Sequence, residues 1–243
     1  MALLGTAEVR RAPRTASRGR LLIDVVPPTA RTIRWLALVA AAAAADLVLW
    51  AAKGELSRGV AVSLQPLRVA AVLLCLRAAF LLDDEAGATV EAAPTNLFFR
   101  RGVRLMIGIP AVGMAWGTAL WIGSAFAASG ASPSMHRSLP AAAITLEAAA
   151  LLAVTLAAGA VATRRLGHDR GSIVAGPTLL AFILTVATFG RYWPLWLESP
   201  ADPGWMAAQL RWAAILAVAL IVLVAASLDP ARRSVVVRGG PFR

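Results

Sequence analysis

The sequence predicts an all-α integral membrane protein with six transmembrane helices. Hydrophobic residues make up 59% of the 243-residue chain and charged residues only 15%, and the mean hydropathy is +0.71. Soluble domains average roughly 45–50% apolar and about 25% charged residues. The apolar residues also fall in long runs, and about 20 consecutive apolar residues are enough for a helix to cross a bilayer.

Short polar stretches separate six apolar runs, and each run is a predicted membrane span. The spans are 33–52, 60–82, 105–128, 139–163, 173–190 and 206–228. They form one transmembrane domain over residues 33–228, between a basic tail at residues 1–32 and a second tail at residues 229–243. The apolar patch at residues 21–26 either lies along the membrane surface or belongs to a disordered tail. The sequence shows no internal repeat.

The distribution of basic residues predicts the orientation of the helices. The net charge is +11, which would also fit a nucleic-acid-binding protein. However, 17 of the 24 basic residues fall on the side of the two termini and five on the other, with Arg68 and Arg77 inside the second span. Basic residues collect on the cytoplasmic side of membrane proteins. We therefore expect both termini in the cytoplasm, a location in the plasma membrane, membrane lipid as a partner and no nucleic acid.

Motifs that would indicate catalysis are absent from the sequence. It contains no G-x-x-x-x-G-K-[ST], no H-E-x-x-H and no G-x-S-x-G. The chain has one cysteine and two histidines far apart, so no cluster has the spacing of metal ligands. The sequence predicts a non-enzyme without a catalytic residue, a metal site or a cofactor of its own.

Four ionisable residues lie inside the predicted spans, where their burial is costly and often functional. They are Asp46, Arg68, Arg77 and Glu147. Asp46 lies about 9 Å, and Arg68 and Glu147 about 12 Å, from the predicted outer ends of their spans. We expect Arg68 to pair with Asp46, with Glu147 as the second choice. Either the pair is a structural cross-link or it lines a transport path, and Arg77 snorkels to the cytoplasmic interface.

Residues 83–104 form the longest polar interruption of the chain and are the candidate docking surface. The stretch opens with acidic residues and closes with basic ones: Asp83, Asp84, Glu85, Glu91, Arg100, Arg101 and Arg104. Pro94 separates a short helical piece, residues 84–92, from the start of the third long helix. Ordinary helix caps and positive-inside arginines are the alternative explanation, but they leave this separate helical piece unexplained.

Two further features concern the outer surface and helix packing. Residues 191–205 are rich in aromatics and prolines and include Trp193, Trp196, Glu198 and Trp205. They form either short re-entrant or surface helices or an ordinary interfacial loop. Gly113 and Gly117 have the GxxxG spacing that allows two helices to approach closely.

This arrangement resembles the permease subunits of ABC exporters of the type-2 class. The segment LLDDEAGATVEAAPTNLFFRRGVRL also resembles membrane proteins of actinobacteria that accompany ABC ATPases. The resemblance covers the whole chain in topology and about 25 residues in sequence. It implies an interfacial helix at residues 21–26, a coupling helix at residues 84–92 and re-entrant helices within residues 191–205.

The resemblance also implies how such a protein works. A separate cytoplasmic ATPase, which binds the ATP, docks beneath a homodimer or heterodimer of permeases and drives export through residues 83–104. Two other classes remain open. One is a non-transporting scaffold or accessory subunit of a membrane complex, and the other is a membrane enzyme that acts on lipid.

Overall fold

The computed structural model describes residues 35–54, 63–82, 97–129, 139–166, 170–197 and 200–228, without the side chains of residues 97–101. Over these residues the chain is helical and contains no strand, which confirms the predicted all-α fold class. The helices are α1 (Trp35–Ala51), α2 (Gln65–Ala78), a 3₁₀ helix (Ala79–Leu82), α3 (Leu97–Ser129), α4 (Ala141–Leu166), α5 (Gly171–Phe189) and α6 (Trp205–Ser227).

Four of the helices are long and apolar enough to cross a membrane: α3 from Gly102 onward, α4, α5 and α6. Helix α1 is shorter, with 17 residues, all of them apolar except Asp46. Helix α2 has 14 residues and continues directly into the four-residue 3₁₀ helix. Together these two segments are about 29 Å long, close to the roughly 30 Å of a hydrocarbon core.

Helix α4 is the centre of the bundle. Of its most apolar window 61% is buried, compared with 28% in α3 and α6 and 17% in α5. It packs against α2, the 3₁₀ helix, α5 and α6, whereas α1, α2 and α3 pack against one another. Because α2 contacts both groups of helices, it connects the first half of the chain to the second.

Small side chains explain the close packing of α4 against α6. Alanine recurs at helical spacing on both faces, and these residues share one core cluster with leucines: Ala153, Leu156, Ala157, Ala160, Ala219, Leu223 and Ala226. In a membrane, small residues let helix backbones approach closely, and van der Waals contact then holds the helices together. The alanine-rich composition of the fourth span therefore reflects its central position.

The outward faces of the bundle are strongly apolar. Large exposed side chains include Leu36 and Leu47 on α1, Trp121 on α3 and Ile221 on α6, each at least two-thirds exposed. A soluble protein rarely exposes so much contiguous apolar surface. Lipid is the natural solvent for these faces, in agreement with the membrane-spanning length of the helices.

The glycines that receive close contacts are not those of the GxxxG pair. A Cβ atom at Gly108 would lie 2.7 Å from the Leu81 side chain, because α3 passes closely over the 3₁₀ helix. A Cβ at Gly123 would lie 3.2 Å from Leu67. Gly113 and Gly117 are exposed, and a Cβ at either would meet no other atom of the described chain within 4 Å. Gly108 and Gly123 therefore allow the close approach of α3 to the 3₁₀ helix and to α2.

We predict that Gly108→Leu destabilises the protein, because the new side chain must displace Leu81. Overpacking of this kind costs about 1–3 kcal/mol. Gly117→Leu is the matched control, since it adds the same side chain to the same helix at an open position. Thermal unfolding in mild detergent should give a lower midpoint for Gly108→Leu only. Equal midpoints for the two variants would contradict the close contact.

Candidate functional site

The most buried basic side chain in the described part of the chain is that of Arg68, in the first turn of α2. The helix begins at Gln65, and Pro66 occupies one of its first positions, where a proline does not disturb helical hydrogen bonding. Arg68 therefore lies about 5 Å from the start of the helix.

Arg68 forms a two-pronged ion pair with Glu147 of α4. Its Nε donates to Oε2 of Glu147 at 2.8 Å, and its Nη2 donates to Oε1 at 3.2 Å. The two side chains are only 5% and 2% exposed. The planar guanidinium matches the carboxylate in this geometry, which lysine does not reproduce.

The expected first partner of Arg68, Asp46, is wrong, and the second choice, Glu147, is correct. Asp46 is half-buried on α1, and its Oδ1 atom accepts no hydrogen bond from the described residues. Glu147 lies on the central helix, where an unpaired carboxylate would be far more costly than at a partly exposed position. The depths estimated from the sequence put both Asp46 and Glu147 within reach of Arg68. They did not show which of the two acids is more deeply buried.

The same guanidinium also holds the connection between α5 and α6. Nη2 of Arg68 donates to the backbone carbonyl of Leu197 at 2.7 Å. Two neighbouring carbonyls are held from α6: Arg211 Nη1 donates to that of Pro194 at 2.9 Å, and Trp212 Nε1 donates to that of Leu195 at 3.0 Å. Residues 194–197, which we call the inserted segment, are thus bound by three side chains from two helices.

The inserted segment is irregular and enters the helix bundle. Residues 190–193 form a turn, and residues 194–197 have neither helical nor strand hydrogen bonding. The Leu195 side chain is buried against Leu151 of α4, Leu179 of α5 and Trp212. Carbonyl groups in such a place need donors, because water is scarce there. The three side-chain bonds supply those donors.

The re-entrant helices expected within residues 191–205 are therefore wrong for the described part of this stretch. Residues 190–197 and 200–204 contain turns and irregular backbone, and α6 begins at Trp205. Pro194 lacks an N–H and disfavours helical geometry in the residue before it, so a helix does not continue through this position. Trp193 is 52% exposed, Trp196 is half-buried against the core and Trp205 is buried. Glu198 lies outside the described residues.

Of the candidate docking stretch at residues 83–104, the structure describes only residues 97–104, which carry its three arginines. Asp83, Asp84, Glu85 and Glu91 lie outside the described residues, as does the short helical piece at residues 84–92. Arg100, Arg101 and Arg104 belong to α3, which runs from Leu97 to Ser129 and so begins soon after Pro94, where the start of the third long helix was expected. The Arg77 guanidinium lies 5.5 Å from the ring centroid of Phe80, in a cation–π arrangement near the end of α2.

Sequence reasoning missed Arg211 and Trp212 as binding groups for the inserted segment. Arg211 was counted only as a charge on the outer side. The sequence does contain a signal for this role, since Arg211 and Trp212 are adjacent in the second turn of an apolar helix. Buried arginine and tryptophan side chains usually have hydrogen-bond partners. Ring packing also supports Trp212, whose indole lies 6.2 Å from the Phe182 ring in an edge-to-face contact.

In this conformation the Arg68–Glu147 ion pair is a cross-link that is almost inaccessible to solvent. Arg68 joins α2, α4 and the inserted segment, and Glu147 neutralises its charge. Among the residues that the structure describes, no three His, Cys, Asp or Glu side chains group in a metal-binding arrangement. No family model, curated protein or solved structure matches this chain.

Removing only one member of the ion pair should be more harmful than removing both. We expect Glu147→Leu to destabilise the protein by about 3–5 kcal/mol, because it leaves a buried, unpaired guanidinium. Combining Glu147→Leu with Arg68→Met should restore most of the loss, leaving about 1 kcal/mol for the Leu197 carbonyl without a donor. Thermal unfolding of the single and double variants measures this, and a double variant as unstable as Glu147→Leu would contradict the assignment.

Trp212→Phe tests the attachment of the inserted segment. Phenylalanine keeps an aromatic ring at this position but cannot donate to the Leu195 carbonyl, so we expect a loss of about 1–3 kcal/mol. We also expect faster labelling of a cysteine introduced at Leu197 in a Cys75→Ala background. Trp193→Phe is the control, since Trp193 is half-exposed. Equal stability and equal labelling of the two variants would show that the indole hydrogen bond does not hold the segment.

Proposed function

We propose that this chain is the membrane-spanning permease subunit of an ABC-type exporter and is coupled to a separate cytoplasmic ATPase. The observation that carries this proposal is the inserted segment between α5 and α6. It returns into the bundle and is fixed there by Arg68, Arg211 and Trp212. The resemblance to type-2 exporters implies a re-entrant element at this point of the chain, although a helical one.

The proposed topology has six spans with both termini in the cytoplasm of a cell whose plasma membrane holds the protein. Four helices have membrane-spanning length and composition, and α1 and the α2–3₁₀ pair supply the other two spans. The excess of arginine on the side of the termini sets the orientation.

The proposed mechanism starts at residues 83–104. An ATPase dimer binds beneath two copies of this chain, or beneath this chain and a partner permease, with residues 83–91 in its groove. ATP is bound by the ATPase and not by this chain. Nucleotide-driven closure moves the ends of the 3₁₀ helix and α3 that flank this loop. The exported molecule crosses between the two permeases.

The first test is to tag the full chain in its native host, extract it in mild detergent and identify the proteins that co-purify. We expect a stoichiometric ATPase with a Walker motif. Replacing residues 84–91 with a Gly-Ser linker should remove the ATPase while the chain still inserts in the membrane. The matched control replaces residues 130–137, on the opposite side in the proposed topology, by a linker of the same length. Unchanged ATPase binding and transport after the first replacement would refute the proposal.

A non-transporting membrane scaffold is the second candidate, and the sealed ion pair favours it. Arg68 and Glu147 are paired with each other and nearly inaccessible, so in this conformation they hold the bundle together and do not line a path. A scaffold would bind another membrane protein through residues 83–104. It predicts that the distance between spin labels on α2 and α3 is the same with and without nucleotide, whereas an exporter predicts a change.

A further inference from the structure

An open groove lies on the surface of the second half of the bundle, between the last part of α4, the start of α5 and the end of α6. Its volume is about 380 Å³. Its lining is almost wholly apolar and includes Ala158, Val161, Leu166, Val174 and Val222. We call it the α4–α6 groove. Ligand sites in proteins commonly enclose roughly 300–1,000 Å³, so the groove has the size of a binding site.

A cationic side chain lies at one end of this groove. Arg165 belongs to the last turn of α4, lines the groove and is exposed. Its neighbour Arg164 donates to the Ala225 carbonyl at 3.0 Å and so ties the end of α4 to that of α6. Arg170, just before α5, is also exposed. The sequence between α4 and α5 adds one aspartate to these three arginines, so this end of the groove has net positive charge.

The length of the groove corresponds to one leaflet of a bilayer. Its lining extends along α4 from Ala157 to Leu166. Nine residues of helix span about 14 Å, which is close to half of the roughly 30 Å hydrocarbon core. A partner helix that crosses the membrane would need an apolar face about twice as long. The dimensions therefore favour a chain that enters from one side and ends near the middle of the membrane.

We propose that the α4–α6 groove binds an anionic phospholipid, with one acyl chain along the apolar lining and the phosphate group beside Arg165. The stem of an arginine packs along apolar surface while its guanidinium reaches the headgroup region. Basic pockets between transmembrane helices on the cytoplasmic side recognise anionic headgroups in this way. The proposal does not depend on the exporter function, because it uses no residue of the docking stretch or the ion pair.

The test uses the purified full-length chain, stripped of lipid in detergent and then mixed with equal amounts of phosphatidylglycerol and phosphatidylcholine that carry the same acyl chains. Native mass spectrometry counts the lipids that stay bound. The unmodified protein should retain phosphatidylglycerol preferentially. Arg165→Gln should lower this preference about fivefold, the effect expected for one basic residue near a membrane surface. Arg191→Gln, an exposed arginine beyond the other end of α5, should leave it unchanged.

A second pair of variants tests the apolar part of the site. Ala158→Leu fills the groove and should reduce the retention of both lipids, whereas Ala217→Leu, at an exposed position of α6 outside the lining, should not. Equal retention of the two lipids by the unmodified protein would overturn the proposal, and so would an unchanged preference in Arg165→Gln. A dimer that carries no lipid and dissociates in Ala158→Leu would assign the groove to a second copy of the chain instead. Arg165→Gln changes only an exposed side chain, so the test stands even if Ala158→Leu fails to fold.

Discussion

The Arg68–Glu147 ion pair determines how the two halves of this protein are joined. Taking two charges into the interior of a bundle costs several kcal/mol per ion, and only good geometry with further hydrogen bonds offsets that cost. Here the pair is two-pronged and Arg68 also donates to the Leu197 carbonyl, but its Nη1 atom is buried without a hydrogen-bond partner among the described residues. One guanidinium therefore links α2 both to α4 and to the inserted segment, which Arg211 and Trp212 also hold.

Composition and hydropathy were enough to predict the helical class and the places of the six helices. The prediction worked because lipid-facing helices must be apolar along their whole length, so each leaves a long signal in the sequence. The central position of α4 was not predicted, although the alanines that permit its close contacts with α6 are visible in the sequence. Helix ends were less accurate, as α2 shows: the helix begins at Gln65, whereas the predicted span begins at residue 60.

The site could be predicted only as a set of residues and not as a set of contacts. Asp46 and Glu147 are each the only acidic residue in their apolar run. Only their different burial in the folded bundle shows which of them pairs with Arg68. Likewise, the spacing of Gly113 and Gly117 fits a packing motif, but Gly108 lies where α3 meets Leu81. Helical spacing says which residues share a face, whereas the direction of that face depends on neighbours that are distant in sequence. The donors to the inserted segment were missed for the same reason.

The distribution of strong and weak contacts indicates where the bundle is able to deform. Helix α2 is fixed to α4 by a buried ion pair, so a force applied at the end of the 3₁₀ helix moves these two helices together. Helices α3 and α4 are joined differently: Trp116 donates to Thr145 at 3.2 Å, and a cavity of about 160 Å³ lies between α2, α3 and α4 beside this bond. Separating surfaces that are already incompletely packed sacrifices few van der Waals contacts, whereas breaking a buried ion pair exposes an uncompensated charge. If nucleotide binding in a partner protein moves this bundle, the boundary between α3 and α4 is the place that changes first.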